Sequence, residues 1–105
     1  MLSGIQRDAS PLFGRRVREA RELAGIPQDK LGVMIGLDET SSSARISRYE
    51  TGVHEPPVKT GKQLAAALKV PLAFLYCDDD VLAAILLRAH KMPKDARRAL
   101  LASMQ

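Results

Sequence analysis

Apolar residues recur every three or four positions along most of the chain, which is the spacing of one face of an α-helix. The first such stretch covers residues 12–24. Four residues form its apolar face: Phe13, Val17, Ala20 and Ala24. Charged residues fill the other face: Arg15, Arg16, Arg18, Glu19 and Glu22. Gly25 can adopt the positive φ that ends many helices, so the pattern predicts a first helix that stops there.

Six further helices are predicted from the same spacing and from residues that start or stop helices. Gly36 and Gly52 end the second and third helices, and Pro56-Pro57 excludes a helix directly after Gly52. The predicted helices lie near residues 27–35, 45–52, 60–69, 71–76, 78–92 and 93–104. No stretch shows the alternation of a half-buried strand, so the sequence predicts an all-α fold.

The third predicted helix has an unusual outer face. Its core side is assigned to Ile46, Tyr49 and Val53. The opposite face then carries Ser41, Ala44, Ser47, Arg48 and Thr51, with Ser43 and Arg45 at its flanks. Small side chains let a helix enter the major groove, and Arg can bond to guanine O6 and N7. An ordinary solvated face is the alternative, but the lack of Lys or Glu at its centre favours nucleic-acid binding.

Arg21 lies on the apolar face of the first helix, four residues after Val17. A charge that points into a core needs a partner. Glu50, at the core-side flank of the third helix, is the candidate, and an Arg21 side chain that reaches solvent is the alternative.

Composition narrows the class of protein. The chain has 105 residues, a formal net charge of +4, 4% aromatic residues and one cysteine. A single cysteine excludes an internal disulfide framework and favours a reducing, cytoplasmic setting. No apolar run approaches the roughly 20 residues of a membrane span. Residues 1–10 are polar and irregular, so we expect a flexible N-terminal arm, with Ser10 and Pro11 at the entry to the first helix.

Catalytic and metal-binding patterns are not found. Cys77 stands beside three aspartates, but no second Cys or nearby His completes a ligand set, and the aspartates suit a helix N-terminus. His54 and His90 are isolated in the sequence. No glycine-rich phosphate loop or nucleophile motif occurs. We therefore expect no enzyme activity, no metal, no cofactor and no small-molecule ligand.

The stretch from Phe13 to Tyr76 resembles the lambda-repressor-like helix-turn-helix domain of the XRE group of bacterial and phage regulators. The matching segments are RRVREARELAGIPQDKLGVMIG, ARISRYETG and LAAALKVPLAFLY. Such domains have five helices, of which the second and third form the DNA-binding unit. The resemblance implies a DNA-binding domain at residues 11–76, followed by two additional helices in a C-terminal extension at residues 77–105.

The resemblance also implies a role for each matching position. Gln28 would hold a phosphate and brace the recognition helix, and Ser42 would cap that helix. Arg21 and Glu50 match a buried ion pair between the first and third helices. Three positions fall where the family reads bases: Ser43, Ala44 and Arg48. The loop after Gly52 is often basic in the family but is acidic here. Further phosphate contacts are therefore expected from Arg45, Ser47, Lys59 and Lys62, or from the first helix.

The sequence departs from the family between Gly36 and Ile46, where it carries about four additional residues. Four residues are close to one helical turn. Either the third helix begins earlier than usual, or the loop GLDETSS bulges.

The C-terminal extension carries more apolar residues than a short tail needs: Leu82, Ile85, Leu86, Leu87 and Leu100. We therefore expect a homodimer, since related regulators bind two half-sites as dimers. The sequence predicts a transcriptional regulator, a repressor that binds specific double-stranded DNA. The alternative is a protein-interaction module, an antitoxin or adaptor whose C-terminal helices bind a partner protein.

Overall fold

The computed structural model describes residues 11–105. Within this range the helices are α1 (Leu12–Ala24), α2 (Gln28–Met34), α3 (Glu39–Thr51), α4 (Val58–Leu68), a 3₁₀ helix (Leu72–Tyr76), α5 (Asp80–Lys91) and α6 (Lys94–Ser103). No strand occurs in the described range, and the predicted all-α class is confirmed. The fifth element is a 3₁₀ helix rather than an α-helix. The predicted N-terminal arm, with Ser10, lies outside the described residues.

One core joins the first five elements. Each of them contributes a side chain with no exposed surface: Val17, Leu31, Ile46, Leu64 and Phe74. Burial of such apolar side chains contributes about 1.5–3 kcal/mol apiece to folding. The apolar spacing thus identified most of the inward faces in residues 11–76.

Helix α3 begins earlier than in the family's usual pattern, because the additional residues form a helical turn. Asp38 is the N-cap, and its carboxylate accepts a hydrogen bond from the Thr40 backbone N–H at 3.3 Å. The predicted cap at Ser42 is therefore wrong. Ser42 lies inside α3, is fully buried, and donates its hydroxyl to the Asp29 carbonyl. An aspartate satisfies a free N–H and also suits the positive helix end.

Three further assignments from helical spacing differ from the structure. Arg16 is 3% exposed rather than solvated, and Ala24 is exposed rather than inward. Val53 is 66% exposed rather than in the core. Val53 follows Gly52, whose φ of 83° ends α3, so the helical period no longer sets its direction.

The last two helices are attached lightly to the rest. In α5, Ala83 is the buried residue, and Leu87 is partly buried against the core. Helix α6 contains no buried residue. Most of the apolar face predicted for these helices is therefore exposed, including Leu82, Ile85 and Leu100. None of the helices in the described range is long and apolar enough to span a membrane.

Candidate nucleic-acid interface

Helices α2 and α3 meet at a glycine. A Cβ atom at Gly32 would lie 1.8 Å from Ser42 Oγ and 2.8 Å from Ser42 Cβ. Only a residue without a side chain allows this approach. Ser42 also donates to the Asp29 carbonyl in α2. The pair of helices is thus fixed by close backbone packing and by a buried hydrogen bond.

The structure brings Arg21 and Glu50 together. Arg21 Nε lies 2.6 Å from Glu50 Oε2, and Nη2 lies 3.2 Å from Oε1. The Glu50 side chain has no exposed surface. The hydrogen bond with Glu50 raises the pKa of Arg21, although burial acts in the opposite direction. Arg21 also donates to the Ile26 carbonyl at 3.0 Å, so this side chain ties α1 to α3 and to the loop before α2.

Gln28 extends the same network to the outer face of α3. Its Nε2 donates to Glu50 Oε1 at 3.1 Å, and its Oε1 accepts from Ser43 Oγ at 3.3 Å. Arg18 Nε lies 3.6 Å from Glu50 Oε1. The first residue of α2 therefore holds α3 at two points about two turns apart, the bracing that the resemblance implies for Gln28. Contact between Gln28 and a phosphate stays a prediction.

The outer face of α3 is accessible. Ser43, Ala44, Arg45 and Arg48 are exposed, and Ser47 is half-buried. Thr40 is exposed in the additional turn, four residues before Ala44 and therefore on the same face. Sequence reasoning missed Thr40 because it started the helix later. The acidic cap residue Asp38 could have revealed the earlier start.

The predicted phosphate-binding lysines lie on a different helix. Lys59 and Lys62 are exposed on the first turns of α4. The face of α3 presents small side chains, hydroxyls and two arginines. Such a surface can offer hydrogen-bond donors both to base edges and to phosphates. In residues 11–105, no three His, Cys, Asp or Glu side chains lie where they could hold a metal ion.

A family model described as helix-turn-helix matches residues 17–75, more than half of the chain. Among solved structures, the crystal structure of transcriptional regulator BswR is similar, with a TM-score of 0.82 and 40% sequence identity. The likeness covers 87% of this chain and 90% of that one. No curated protein sequence shows a significant match.

The likeness to BswR reaches beyond the helix-turn-helix unit. Residues 1–76 make up less than three quarters of the chain, whereas the likeness covers 87% of it. Part of the C-terminal helices is therefore shared between the two structures.

Proposed function

The chain belongs to the XRE-type helix-turn-helix family, and we propose that it is a sequence-specific repressor that binds double-stranded DNA as a homodimer. The observation that carries the proposal is the outer face of α3. It is exposed, it is built from small, hydroxylated and arginine side chains, and it is held rigidly by the network around Glu50. A rigid reading surface loses little entropy when it binds.

Base contacts are assigned to three residues on this face. Arg48 can donate two hydrogen bonds to guanine, Ser43 can bond to any base edge, and Ala44 can contact a thymine methyl group. Phosphate contacts are assigned to Gln28, Arg45, Ser47, Lys59 and Lys62. Ser42 is excluded from direct contact because it is fully buried, and it acts by holding α2 against α3.

The dimer is assigned to residues 77–105. Val81, Leu82 and Ile85 of α5 and Leu100 and Leu101 of α6 are each at least 41% exposed. Acidic residues 78–80 stand at the start of α5, and Arg88 and Lys91 stand at its end. Two antiparallel copies of α5 would therefore place opposite charges beside each other around an apolar centre, as a twofold interface requires.

The proposed repression is supported by this division of the chain. Residues 11–76 bind DNA in the proposal, and α5 and α6 hold the second copy. A protein of this kind acts by occupying its site, which excludes other proteins from the same DNA.

A protein-interaction module is the second candidate. This candidate is favoured by an apolar groove on the α5–α6 surface, which is lined by Val81, Ile85, Met92 and Leu100. Exposed apolar patches of this kind mark interaction sites. In this case α5 and α6 bind a different protein, and DNA binding is weak and insensitive to sequence.

The test is selection of the purified protein on a random-duplex pool at near-physiological salt. We expect an enriched inverted repeat whose affinity falls steeply as salt rises, because bound phosphates release counterions. The R45A/R48A double variant should lose the enrichment. The charge-matched R97A/R98A variant, altered on α6, should keep the half-site sequence. Folded wild-type protein that enriches no sequence would overturn the proposal in favour of the interaction module.

A further inference from the structure

Arg16 is a buried arginine that lies outside the hydrogen-bond network around Glu50. It is 3% exposed, and its guanidinium carbon lies 5.3 Å from the centroid of the Phe74 ring. Its Nη1 donates to Glu19 within α1 at 2.9 Å. A buried guanidinium is stable only where its N–H groups have hydrogen-bond acceptors. The two remaining acceptors of Arg16 therefore indicate what this side chain does.

Those two contacts cross from α1 to the C-terminal extension. Arg16 Nε donates to the Cys77 carbonyl at 2.9 Å, and Nη2 donates to Asp80 Oδ1 at 3.1 Å. Cys77 belongs to the irregular segment before α5, and Asp80 is the first residue of α5. One planar group therefore holds both the connecting segment and the start of the next helix.

The apolar contact between α5 and the core is small in the described part of the chain. Ala83 is the buried residue of α5, and Leu87 is partly buried. Apolar contacts of small area are not directional, so a helix can tilt over them at little cost. Hydrogen bonds from a guanidinium have a fixed fork geometry and resist such a tilt.

We infer that Arg16 is a positioning residue for DNA recognition, which sets the angle between the DNA-binding helices and the α5–α6 extension and thereby the spacing between two half-sites. The inference rests on the proposed function, because α5 and α6 must join two copies for that angle to matter. In such a dimer, a change in the direction of α5 moves one recognition helix relative to the other. A dimer on DNA tolerates only spacings that place both helices in the groove.

The test is competitive binding to inverted repeats that share one half-site sequence and differ only in spacer length. We expect wild-type protein to favour one spacing over its neighbours by about tenfold, because both copies then bind at once. R16M keeps the apolar stem and removes the three hydrogen bonds. Its preference should fall to about threefold or less while its half-site sequence is unchanged.

Two further variants, one at the start of α5 and one in α1, complete the experiment. D80A removes one partner of Arg16 whose side chain is 51% exposed, so the fold should persist, and it should broaden the spacing preference in the same direction as R16M. E22A removes the same charge from an exposed position of α1, outside the proposed dimer interface, and should keep the wild-type spacing. All variants are compared below their melting temperatures.

Each outcome decides the matter. Folded R16M or D80A with the wild-type spacing preference overturns the inference and leaves the proposed function standing, since a merely structural arginine would lower the melting temperature alone. Should R16M not fold, D80A decides. Wild-type protein that shows no preferred spacing overturns the proposed dimer and the inference with it.

Discussion

At the scale of single residues, burial of charge organises this protein. Arg21 and Arg16 both lie in α1, and both have their guanidinium groups held by carboxylates. Arg21 falls on the apolar face of α1, so its position in the sequence reveals its burial. The position of Arg16 in the sequence does not reveal its burial, because the 3₁₀ helix and the start of α5 cover α1 on a second side. Helical periodicity from one face cannot show that second cover.

Replacement of Arg21 by alanine should lower the free energy of unfolding by about 3 kcal/mol, because it leaves a buried carboxylate without its main partner. Gln28 and Arg18 remain near Glu50 and limit the loss. Urea unfolding followed by circular dichroism measures it. The exposed Lys30→Ala variant in α2 should change stability by less than about 0.5 kcal/mol. An unchanged unfolding midpoint in R21A would contradict the importance of the pair.

Replacement of Arg48 by alanine should weaken operator binding by about 1–3 kcal/mol and relax the preference at one base pair, because a base contact is lost. Arg45→Ala is the comparison, since Arg45 also lies exposed on α3. Loss of a phosphate contact should weaken binding to all sequences alike and reduce the salt slope by about one. Binding isotherms on single-base operator variants distinguish the two. Unaltered base preference in R48A would exclude its reading role.

At the scale of helices, α2 and α3 can approach closely because Gly32 has no side chain. Gly32 contributes no side chain where Ser42 crosses, and Ser42 fills that space with a buried hydroxyl. The other end of α3 is extended by a turn that Asp38 caps. The helix-turn-helix unit thus combines close packing on one side with a longer exposed face on the other.

Replacement of Gly32 by alanine should destabilise the protein by about 1–3 kcal/mol, as overpacking does in other cores. The better helix propensity of alanine, worth about 1 kcal/mol, offsets part of the clash. Rotation of the Ser42 hydroxyl gives no relief, since the new Cβ would still lie 2.8 Å from Ser42 Cβ. Thermal melts measure the loss, and V33A at the 49% exposed neighbour is the control. Equal melting temperatures would mean that α2 and α3 separate easily.

At the scale of the whole molecule, the core and the exposed apolar surface are divided along the chain. Residues of α1 to the 3₁₀ helix supply nearly all of the core, whereas α6 supplies no buried residue. A helix whose apolar face stays exposed is stabilised little by tertiary packing within its own chain. This division is the physical basis for the proposal that α5 and α6 contact a second copy of the chain.

Replacement of Ile85 by glutamate should convert a dimer into monomers, because it buries an unpaired charge at the centre of the proposed interface. Ile85 is 53% exposed, so the monomer fold should persist. Sedimentation velocity gives the oligomeric state, with V58E as the control at an equally exposed residue in α4. Affinity for an inverted repeat should fall to that for a half-site. Wild-type protein that sediments as a monomer at micromolar concentration would contradict the dimer.

The sequence by itself determined the order of the helices, most of the core and most of the outer face of α3. These features depend on local spacing and capping, which act over a few residues. The Arg21–Glu50 pair could also be predicted from the sequence, because each charged residue falls on or beside the core-facing side of its own helix. The same periodicity placed Arg48 and Ala44 on the outer face of α3 and Ser43 at its flank.

Only the tertiary structure decided where separate elements meet. The buried position of Ser42 and the contacts of Arg16 with residues 77 and 80 each depend on a partner from a distant part of the chain. Such contacts join residues as many as 64 positions apart, and no local pattern records them. The direction of the C-terminal helices, on which half-site spacing depends in our proposal, is set at that level because buried donors and acceptors must find partners wherever the fold supplies them.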